Sequence, residues 1–225
     1  MVATPNPTKP LSAEEVFDDI GPAYETAFAN NTPQDNSIDW LLTQLHDRPQ
    51  AEILDIGCGT GVPVCSRLAA AGHKVLGIDV SGAMIADATK KVPEAGFQKI
   101  DLGDYHPEAE SFDAVTVYFS MIASVTQDQI RQNIKNIFSW LRKGGVFVFA
   151  TVPLEGNNNT INWMGRSVVV SSLSAEETVE CITQAGFEVV LQEKNDFTPC
   201  VTKAGICEQD EAWTEPHLFV YARKA

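Results

Sequence analysis

The sequence predicts an α/β fold, a doubly wound and mostly parallel sheet with helices on both faces. Short apolar segments typical of buried strands alternate with segments whose apolar residues have helical spacing. A glycine-rich turn joins the first predicted strand to the next helix, and acidic residues lie at or near the ends of the first two strands. Ligands of open α/β sheets bind at the carboxyl ends of the strands, so we expect the functional site there.

The glycine-rich turn is the strongest local signal in the chain. Asp55 lies near the end of the first predicted strand, and Gly57, Gly59 and Gly61 follow at alternating positions. Glycine tolerates positive φ and has no Cβ, so another molecule can approach such a turn closely. The helix predicted next offers unpaired N–H groups in its first turn. Together these features predict a nucleotide-binding corner.

The spacing of the turn distinguishes between nucleotide ligands. A dinucleotide fingerprint that starts at Gly57 requires glycine or alanine at position 62, where Val62 stands. The carboxylate of Asp55 would repel a pyrophosphate, whereas it would attract a cationic amino or sulfonium group. A tight turn that binds no ligand is the alternative.

Composition excludes several classes of function. The 225 residues carry a formal net charge of −14, which argues against binding to nucleic acid or to an anionic membrane surface. The five cysteines have no Cys-x-x-Cys pair, which indicates reduced thiols, a cytoplasmic location and no metal site. No apolar run has membrane length, and residues 1–10 contain three prolines and predict a flexible tail.

Two helices are expected before the first strand. Ser12 and Glu15 form a capping box, and Gly21-Pro22 should kink or break the helix that begins there. Asp35 or Asn36 should cap a second helix, whose apolar positions have helical spacing.

The remaining elements follow in order. The predicted strands are residues 51–56, 73–78, 97–100, 111–117, 146–152, 187–192 and 218–223. Asp79 ends the second strand, where a carboxylate can accept hydrogen bonds from both ribose hydroxyls of an adenosine. Helices are expected over 64–71, 128–141 and from Ser174 to about 186, with turns at 30–34 and 155–159.

Five features in a fixed order give the chain a resemblance to a known family. They are the glycine turn, Asp79, Asp101, Phe112-Asp113 and Gly144-Gly145. In this order they resemble the class I, Rossmann-like S-adenosylmethionine-dependent methyltransferases of the small-molecule type, from about residue 17 to residue 224. The resemblance implies seven strands, the last one antiparallel, and an N-terminal helical lid.

The resemblance also implies a division of the chain and a set of cofactor contacts. Residues 1–10 are the tail and 11–225 one domain, made of a lid (11–48), a cofactor-binding half (49–153) and a substrate-side half (154–225). S-adenosylmethionine, and S-adenosylhomocysteine as product, would contact Tyr24, Asp55, Gly57, Cys58, Gly59, Asp79, Val80, Met84, Asp101, Leu102 and Phe119. For Tyr24 and Met84, packing within a helix is the alternative.

The function that this implies is methyl transfer to a nucleophilic atom of a small organic molecule. His217 begins the last predicted strand and is the candidate catalytic base, because histidine titrates near neutral pH. A surface histidine in an acidic loop is the alternative. Two other functions stay open, a different S-adenosylmethionine-dependent reaction and a non-catalytic binding partner of another protein. The acceptor, the atom methylated and the oligomeric state are not predicted.

Overall fold

A computed structural model describes residues 9–225, so most of the predicted tail lies outside the described residues. The α-helices are α1 Ala13–Ile20, α2 Ala23–Ala27, α3 Thr32–Gln44, α4 Val64–Ala70, α5 Gly82–Lys91, α6 Gln127–Trp140, α7 Ala175–Gln184 and α8 Val201–Ala204. The strands are β1 Glu52–Ile56, β2 Lys74–Asp79, β3 Gly96–Lys99, β4 Phe112–Tyr118, β5 Leu141–Thr151, β6 Gly156–Trp163, β7 Arg166–Ser172, β8 Phe187–Phe197 and β9 Glu215–Lys224.

Seven strands form the central sheet in the order β3-β2-β1-β4-β5-β9-β8. The first five run parallel, and β9 pairs antiparallel with both β5 and β8. The prediction of a mostly parallel seven-stranded sheet with an antiparallel last strand is confirmed. Because β9 is reversed, its first residues lie at the same edge as the carboxyl ends of the parallel strands.

Each face of the sheet has its own apolar core. Along β5, Phe147 and Phe149 pack with residues of α6 and α7, whereas Val146 and Val148 pack with residues of α3 and α4. Side chains alternate between the two faces of a strand, so β5 is buried on both faces from residue 145 to residue 151. This two-sided burial explains why the central strands read as continuous apolar runs.

Some predicted boundaries are wrong. Helix α3 is capped by Asn31, whose Oδ1 accepts a hydrogen bond from the Gln34 backbone N–H at 3.3 Å, and not by Asp35 or Asn36. The fifth strand begins at Leu141, and the chain passes through Gly144 at a positive φ of 72° before the regular pairing with β4. The last two strands are longer than predicted because they continue to pair with each other beyond the sheet core.

The sequence did not predict the hairpin formed by β6 and β7. Its two-residue turn holds Met164 and Gly165 at φ 51° and 75°, which are the positive values that tight hairpins need. Residues 155–159 were expected to form a turn, but the asparagine-rich segment is mostly the exposed strand β6. Strand β7 packs Val168 and Val170 against helix α1.

The described residues contain no helix with the length and apolar character needed to cross a membrane. Within the same residues, no group of three or more histidine, cysteine, aspartate or glutamate side chains is placed to hold a metal ion.

Candidate functional site

A cavity of about 860 Å³, open solvent at its mouth included, lies at the carboxyl ends of β1, β2 and β4. Nine of the eleven predicted cofactor residues line it: Tyr24, Gly57, Gly59, Asp79, Val80, Met84, Asp101, Leu102 and Phe119. The remaining two, Asp55 and Cys58, line an adjoining cavity that shares Tyr24, Gly57, Gly59 and Phe119 with the first. The structure therefore brings all the predicted residues to one edge of the sheet.

The glycine corner is held firmly against the second strand. The backbone N–H groups of Gly57 and Cys58 both donate to the carbonyl oxygen of Ile78, at 2.7 and 3.0 Å. A Cβ on Gly57 would lie only 2.0 Å from the Cβ of Ser120, whereas a Cβ on Gly59 would have no heavy atom within 4 Å. Gly59 therefore faces open space, and the corner fits a ligand that approaches its backbone closely.

Asp79 organises this corner through its carboxylate. One oxygen accepts from the Gly59 N–H at 2.9 Å, and the other accepts from the Ser81 N–H at 2.8 Å. Burial raises the pKa of Asp79, while these backbone donors oppose the rise. Each carboxylate oxygen keeps a further acceptor position, so Asp79 is suited to bind a pair of hydroxyl groups.

Asp55 is more deeply buried than Asp79. Its carboxylate accepts hydrogen bonds from the hydroxyl of Thr116 at 2.7 Å and from the thiol of Cys65 at 3.3 Å. Burial raises the pKa of Asp55 from the usual 3.8 to about 6. The two hydrogen bonds oppose this rise, but neither donor carries a positive charge. A positively charged group brought into the adjoining cavity would favour the ionised form of this carboxylate.

The other predicted contacts differ in exposure. Asp101 is exposed, and its side chain accepts from the Gly103 N–H at 2.7 Å, which fixes the turn after β3. Met84 is only 1% exposed, and its side chain lines the cavity while it also packs within the fold. Phe119 has a positive φ of 58°, an uncommon backbone conformation for a bulky residue at the end of β4.

Helix α1 is attached to the cofactor side of the cavity. The carboxylate of Asp18 accepts from the Ser81 hydroxyl at 2.6 Å and from the Ala83 N–H at 3.0 Å, at the start of α5. Glu25 of α2 accepts from the Thr60 hydroxyl at 2.6 Å and pairs with Lys91 at 2.7 Å. Helices α1 and α2 therefore form a cover over the glycine corner.

A second cavity, of about 610 Å³ with its open mouth included, adjoins the first. The two cavities share the side chains of Phe17, Tyr24, Phe119 and Ala123. The wall of the second cavity is otherwise built mainly from α1, the β6–β7 hairpin and the segment before β9. Glu215 is the sole charged residue that the described part of the chain contributes to this wall.

Tyr24 lies where the cavities meet, and it lines the first cavity, the second cavity and the cavity that contains Asp55. Its ring stacks on Phe28 with 4.4 Å between ring centroids. Burial, followed by the negative charges of Glu215 and Asp79, raises the pKa of Tyr24. Its hydroxyl therefore stays protonated at neutral pH and is available as a hydrogen-bond donor.

His217 lies behind the wall of the second cavity. It is 1% exposed, and its ring packs on Phe119 with 4.2 Å between ring centroids. Its Nε2 is 3.3 Å from Oε2 of Glu215, and its Nδ1 is 3.4 Å from the amide nitrogen of Asn31. It is therefore not a surface histidine.

Sequence reasoning missed Glu215 as a site residue. Glu215 precedes His217 by two positions on β9, so the two side chains share one face of the strand. An acid two residues before the candidate histidine, a spacing that places both on one face of an extended strand, was the signal that could have identified it.

Two of the five features of the family pattern serve the fold and not the site. Asp113 accepts from the Glu52 N–H at 2.9 Å and pairs with Arg142 at 2.7 Å, near the amino ends of the parallel strands. The carbonyl of Gly144 accepts from Arg48 at 2.9 Å in the same region. These residues fasten strands at the edge opposite the cavities.

Comparison with known proteins agrees with this arrangement. Residues 53–145 match the sequence model of a family described as "Methyltransferase domain". The predicted resemblance to the Rossmann-like, S-adenosylmethionine-dependent methyltransferases is confirmed over these residues.

The chain is similar to proteins of known sequence and structure. Malonyl-[acyl-carrier protein] O-methyltransferase of Enterobacter lignolyticus is 27% identical over 146 residues, which are 65% of this chain and 57% of that protein. Magnesium protoporphyrin IX methyltransferase of Synechocystis, solved with bound S-adenosylhomocysteine, has a TM-score of 0.64 at 17% identity, over 86% of this chain and 82% of that one. The [4+2]-cyclase SpnF has a TM-score of 0.62 at 19% identity, over 84% and 81%.

The matches to curated relatives are partial. The chain covers 49%, 57% and 67% of the length of three of them. The two structural matches given above are below 25% identity and concern the fold.

Proposed function

We propose that this protein binds S-adenosylmethionine in the first cavity and transfers its methyl group to a small organic molecule bound in the second. The observation that carries the proposal is the shared wall of Phe17, Tyr24, Phe119 and Ala123 between a cavity lined by the family's cofactor positions and an apolar cavity. Apolar walls with few polar groups are typical of small-molecule sites.

The residues of the first cavity match the parts of the cofactor. Asp79 offers carboxylate oxygens to ribose hydroxyls, while Val80, Met84 and Leu102 give an apolar surface for adenine. Asp55 and the backbone at Gly57 would lie on the side of the cationic methionine end. S-adenosylmethionine, when bound, supplies a methyl carbon that is already activated by its sulfonium. The protein then contributes positioning and exclusion of water, which α1 and α2 favour by covering the site.

A second candidate function is a different S-adenosylmethionine-dependent reaction on the same fold. The likeness to SpnF supports it, since that protein is described as a cyclase. Both functions require the cofactor, and a product that gains one methyl group distinguishes them. A non-catalytic role would show cofactor binding with no product.

We also propose a cytoplasmic location, a small-molecule partner, and no binding to nucleic acid or membrane. All five cysteines are free thiols, which suits a reducing compartment. The net charge of −14 is unfavourable for partners that carry phosphate groups.

Calorimetric titration tests the cofactor. We expect S-adenosylhomocysteine and S-adenosylmethionine to bind with dissociation constants on the order of micromolar, and NAD not to bind. Heat with NAD but with neither sulfur ligand would contradict the proposal. Incubation of metabolite extracts with methyl-labelled S-adenosylmethionine then tests transfer, because a methylated product must carry the label.

A further inference from the structure

The carboxylate of Glu215 is buried in apolar surroundings. Glu215 is 6% exposed, and the side chains that share its cavity wall include Trp163, Trp213, Phe28 and Phe119. In the described part of the chain it forms no ion pair with lysine or arginine. A buried carboxylate without a cation is costly, so its place in this wall requires an explanation.

A chain of hydrogen bonds holds this carboxylate in place. Oε1 of Glu215 accepts from the indole Nε1–H of Trp163 at 2.9 Å, and Oε2 lies 3.3 Å from Nε2 of His217. Asn31 caps helix α3 with its Oδ1, so its amide N–H₂ points to Nδ1 of His217. Because Nδ1 accepts that hydrogen bond, the histidine proton lies on Nε2 and is donated to Glu215.

These contacts leave the carboxylate able to accept more. Each of the two oxygens receives one donor from the protein, and a carboxylate has about four acceptor positions in total. Since Glu215 lines the second cavity, a ligand there can reach it. An N–H or O–H group of a bound molecule would complete its hydrogen bonding.

We propose that Glu215 is the residue that binds the methyl acceptor and takes its proton. The acceptor is then an apolar molecule that carries one amine or hydroxyl group, and the apolar part fills the cavity while the N–H or O–H donates to Glu215. The inference rests on the proposed function. His217 acts through Glu215, as a positioning residue.

The transfer step balances with Glu215 as proton acceptor. The nitrogen or oxygen of the acceptor forms a bond to the methyl carbon, and the carbon–sulfur bond breaks with its electron pair going to sulfur. The proton of the N–H or O–H passes to a carboxylate oxygen of Glu215. No oxidant or other co-reactant is needed.

The mouth of the cavity suits an acceptor with a large apolar part. Leu154 and Trp213 are 43% and 37% exposed, and both line this cavity and a neighbouring surface groove. Exposed large apolar side chains beside a cavity are typical of a binding surface. The apolar part of the acceptor can therefore extend outward between them.

Three probes with one ring system test the proposal: naphthylmethylamine, naphthylmethanol and methylnaphthalene. Binding is followed by the indole N–H resonance of Trp163 in proton–nitrogen correlation spectra, without cofactor. The chain has four tryptophans, and Trp163→Phe identifies the resonance. We expect the amine to bind about tenfold more tightly than methylnaphthalene, with the alcohol between them.

Glu215→Gln should remove the preference for the amine and leave methylnaphthalene binding unchanged. The matched control is Asp196→Asn, which removes the same charge from an exposed residue paired with Pro216 in the adjacent strand and should keep the preference. If the wild-type protein binds none of the probes, or binds all three equally, the proposal is wrong. That result needs no variant, so it holds even if Glu215→Gln fails to fold.

His217 is tested by rescue. We expect His217→Ala to reduce the preference for the amine, and His217→Gln to retain most of it, because the glutamine amide can still donate to Glu215. An equal loss in both variants would assign His217 to packing alone.

Titration with S-adenosylhomocysteine separates the two proposals. If that ligand does not bind, the proposed function fails even where the probes distinguish Glu215. If it binds to wild type and to Glu215→Gln with equal affinity while the probes do not discriminate, the inference about Glu215 fails and the proposed function stands.

Discussion

At the scale of single residues, three buried carboxylates of the site are stabilised in different ways. Asp79 receives two backbone N–H groups, Asp55 receives a hydroxyl and a thiol, and Glu215 receives an indole and an imidazole. These donors are neutral, so in each case a cationic or hydrogen-bond-donating ligand would add stabilisation that the protein lacks. Because the three carboxylates have different donors, the role of each can be tested by its own substitution.

Asp55→Asn should stabilise the protein without ligand at neutral pH. The folded-state pKa of about 6 lies above the ordinary 3.8, so the stability linked to protonated Asp55 is complete below pH 3.8 and is lost as the pH rises through 6. Asparagine avoids this loss, so its gain in unfolding free energy should grow over that interval to at most about 3 kcal/mol. Urea unfolding of both proteins at about pH 4.5, near the start of this interval, and at about pH 7.5, above its end, measures how the gain grows. An equal gain at both pH values would show that Asp55 does not titrate in this range.

Asp79→Ala should weaken binding of S-adenosylhomocysteine by about 1.5–3 kcal/mol, because it removes charged acceptors from two hydroxyls. Calorimetry measures the affinity. Asp104→Ala, an exposed acid in the segment after β3, is the control and should bind normally. Normal binding by Asp79→Ala would exclude it as the ribose contact.

At the scale of elements, helix α1 connects the two cavities. Its Asp18 binds the start of α5 beside the first cavity, while Val16 and Ile20 pack on the hairpin that walls the second. Asp19 on the same helix pairs with Arg166 of the hairpin at 2.7 Å. The short helix therefore depends on tertiary contacts on both sides, since eight residues alone form a marginal helix in water.

Asp18→Ala should loosen α1 without affecting the sheet. The Ser81 hydroxyl, followed by the Ala83 N–H, lowers the pKa of Asp18, so this contact is complete at neutral pH and is lost as the pH falls through that lowered pKa. We expect amide hydrogen exchange in α1 to become about fivefold faster at pH 7. Exchange in α6 is the internal control, and unchanged exchange in α1 would show that Asp18 does not hold the cover.

At the scale of the whole molecule, the predicted lid consists of two parts with different roles. Helices α1 and α2 cover the cavities, whereas α3 buries Ile38 and Leu41 completely in the core on one face of the sheet. Asn31 at the start of α3 also contacts His217. The third helix is therefore a structural part of the α/β unit.

Two truncations test this division. The chain 30–225 should keep a cooperative thermal transition, with reduced stability and weak binding of S-adenosylhomocysteine, because the cover is lost while the core remains. The chain 49–225 should lose the transition, since removing the buried side chains of α3 costs about 2–5 kcal/mol for each large residue. Circular dichroism melting measures both. A cooperative transition in 49–225 would indicate that α3 belongs to the lid and not to the α/β unit.

The sequence by itself determined the positions along the chain of the seven strands of the central sheet, the glycine corner and the strand-end acid Asp79. These features are local, because a turn, a cap or an apolar run depends on residues a few positions apart. The capping box at Ser12 and the helix start at Ser174 are confirmed for the same reason. The antiparallel last strand came from the resemblance to a family, since no local pattern distinguishes the direction of a strand.

Tertiary structure alone decided how the second cavity is built. The hairpin turn at Met164-Gly165 is formed by backbone conformations that its asparagine-rich strand does not indicate. Glu215 faces that cavity and His217 lies behind it because Trp163, 52 residues away, and Asn31, 186 residues away, meet them there. Which of two neighbouring polar residues reaches a ligand depends on what packs over each of them, and that is settled only when distant segments come together.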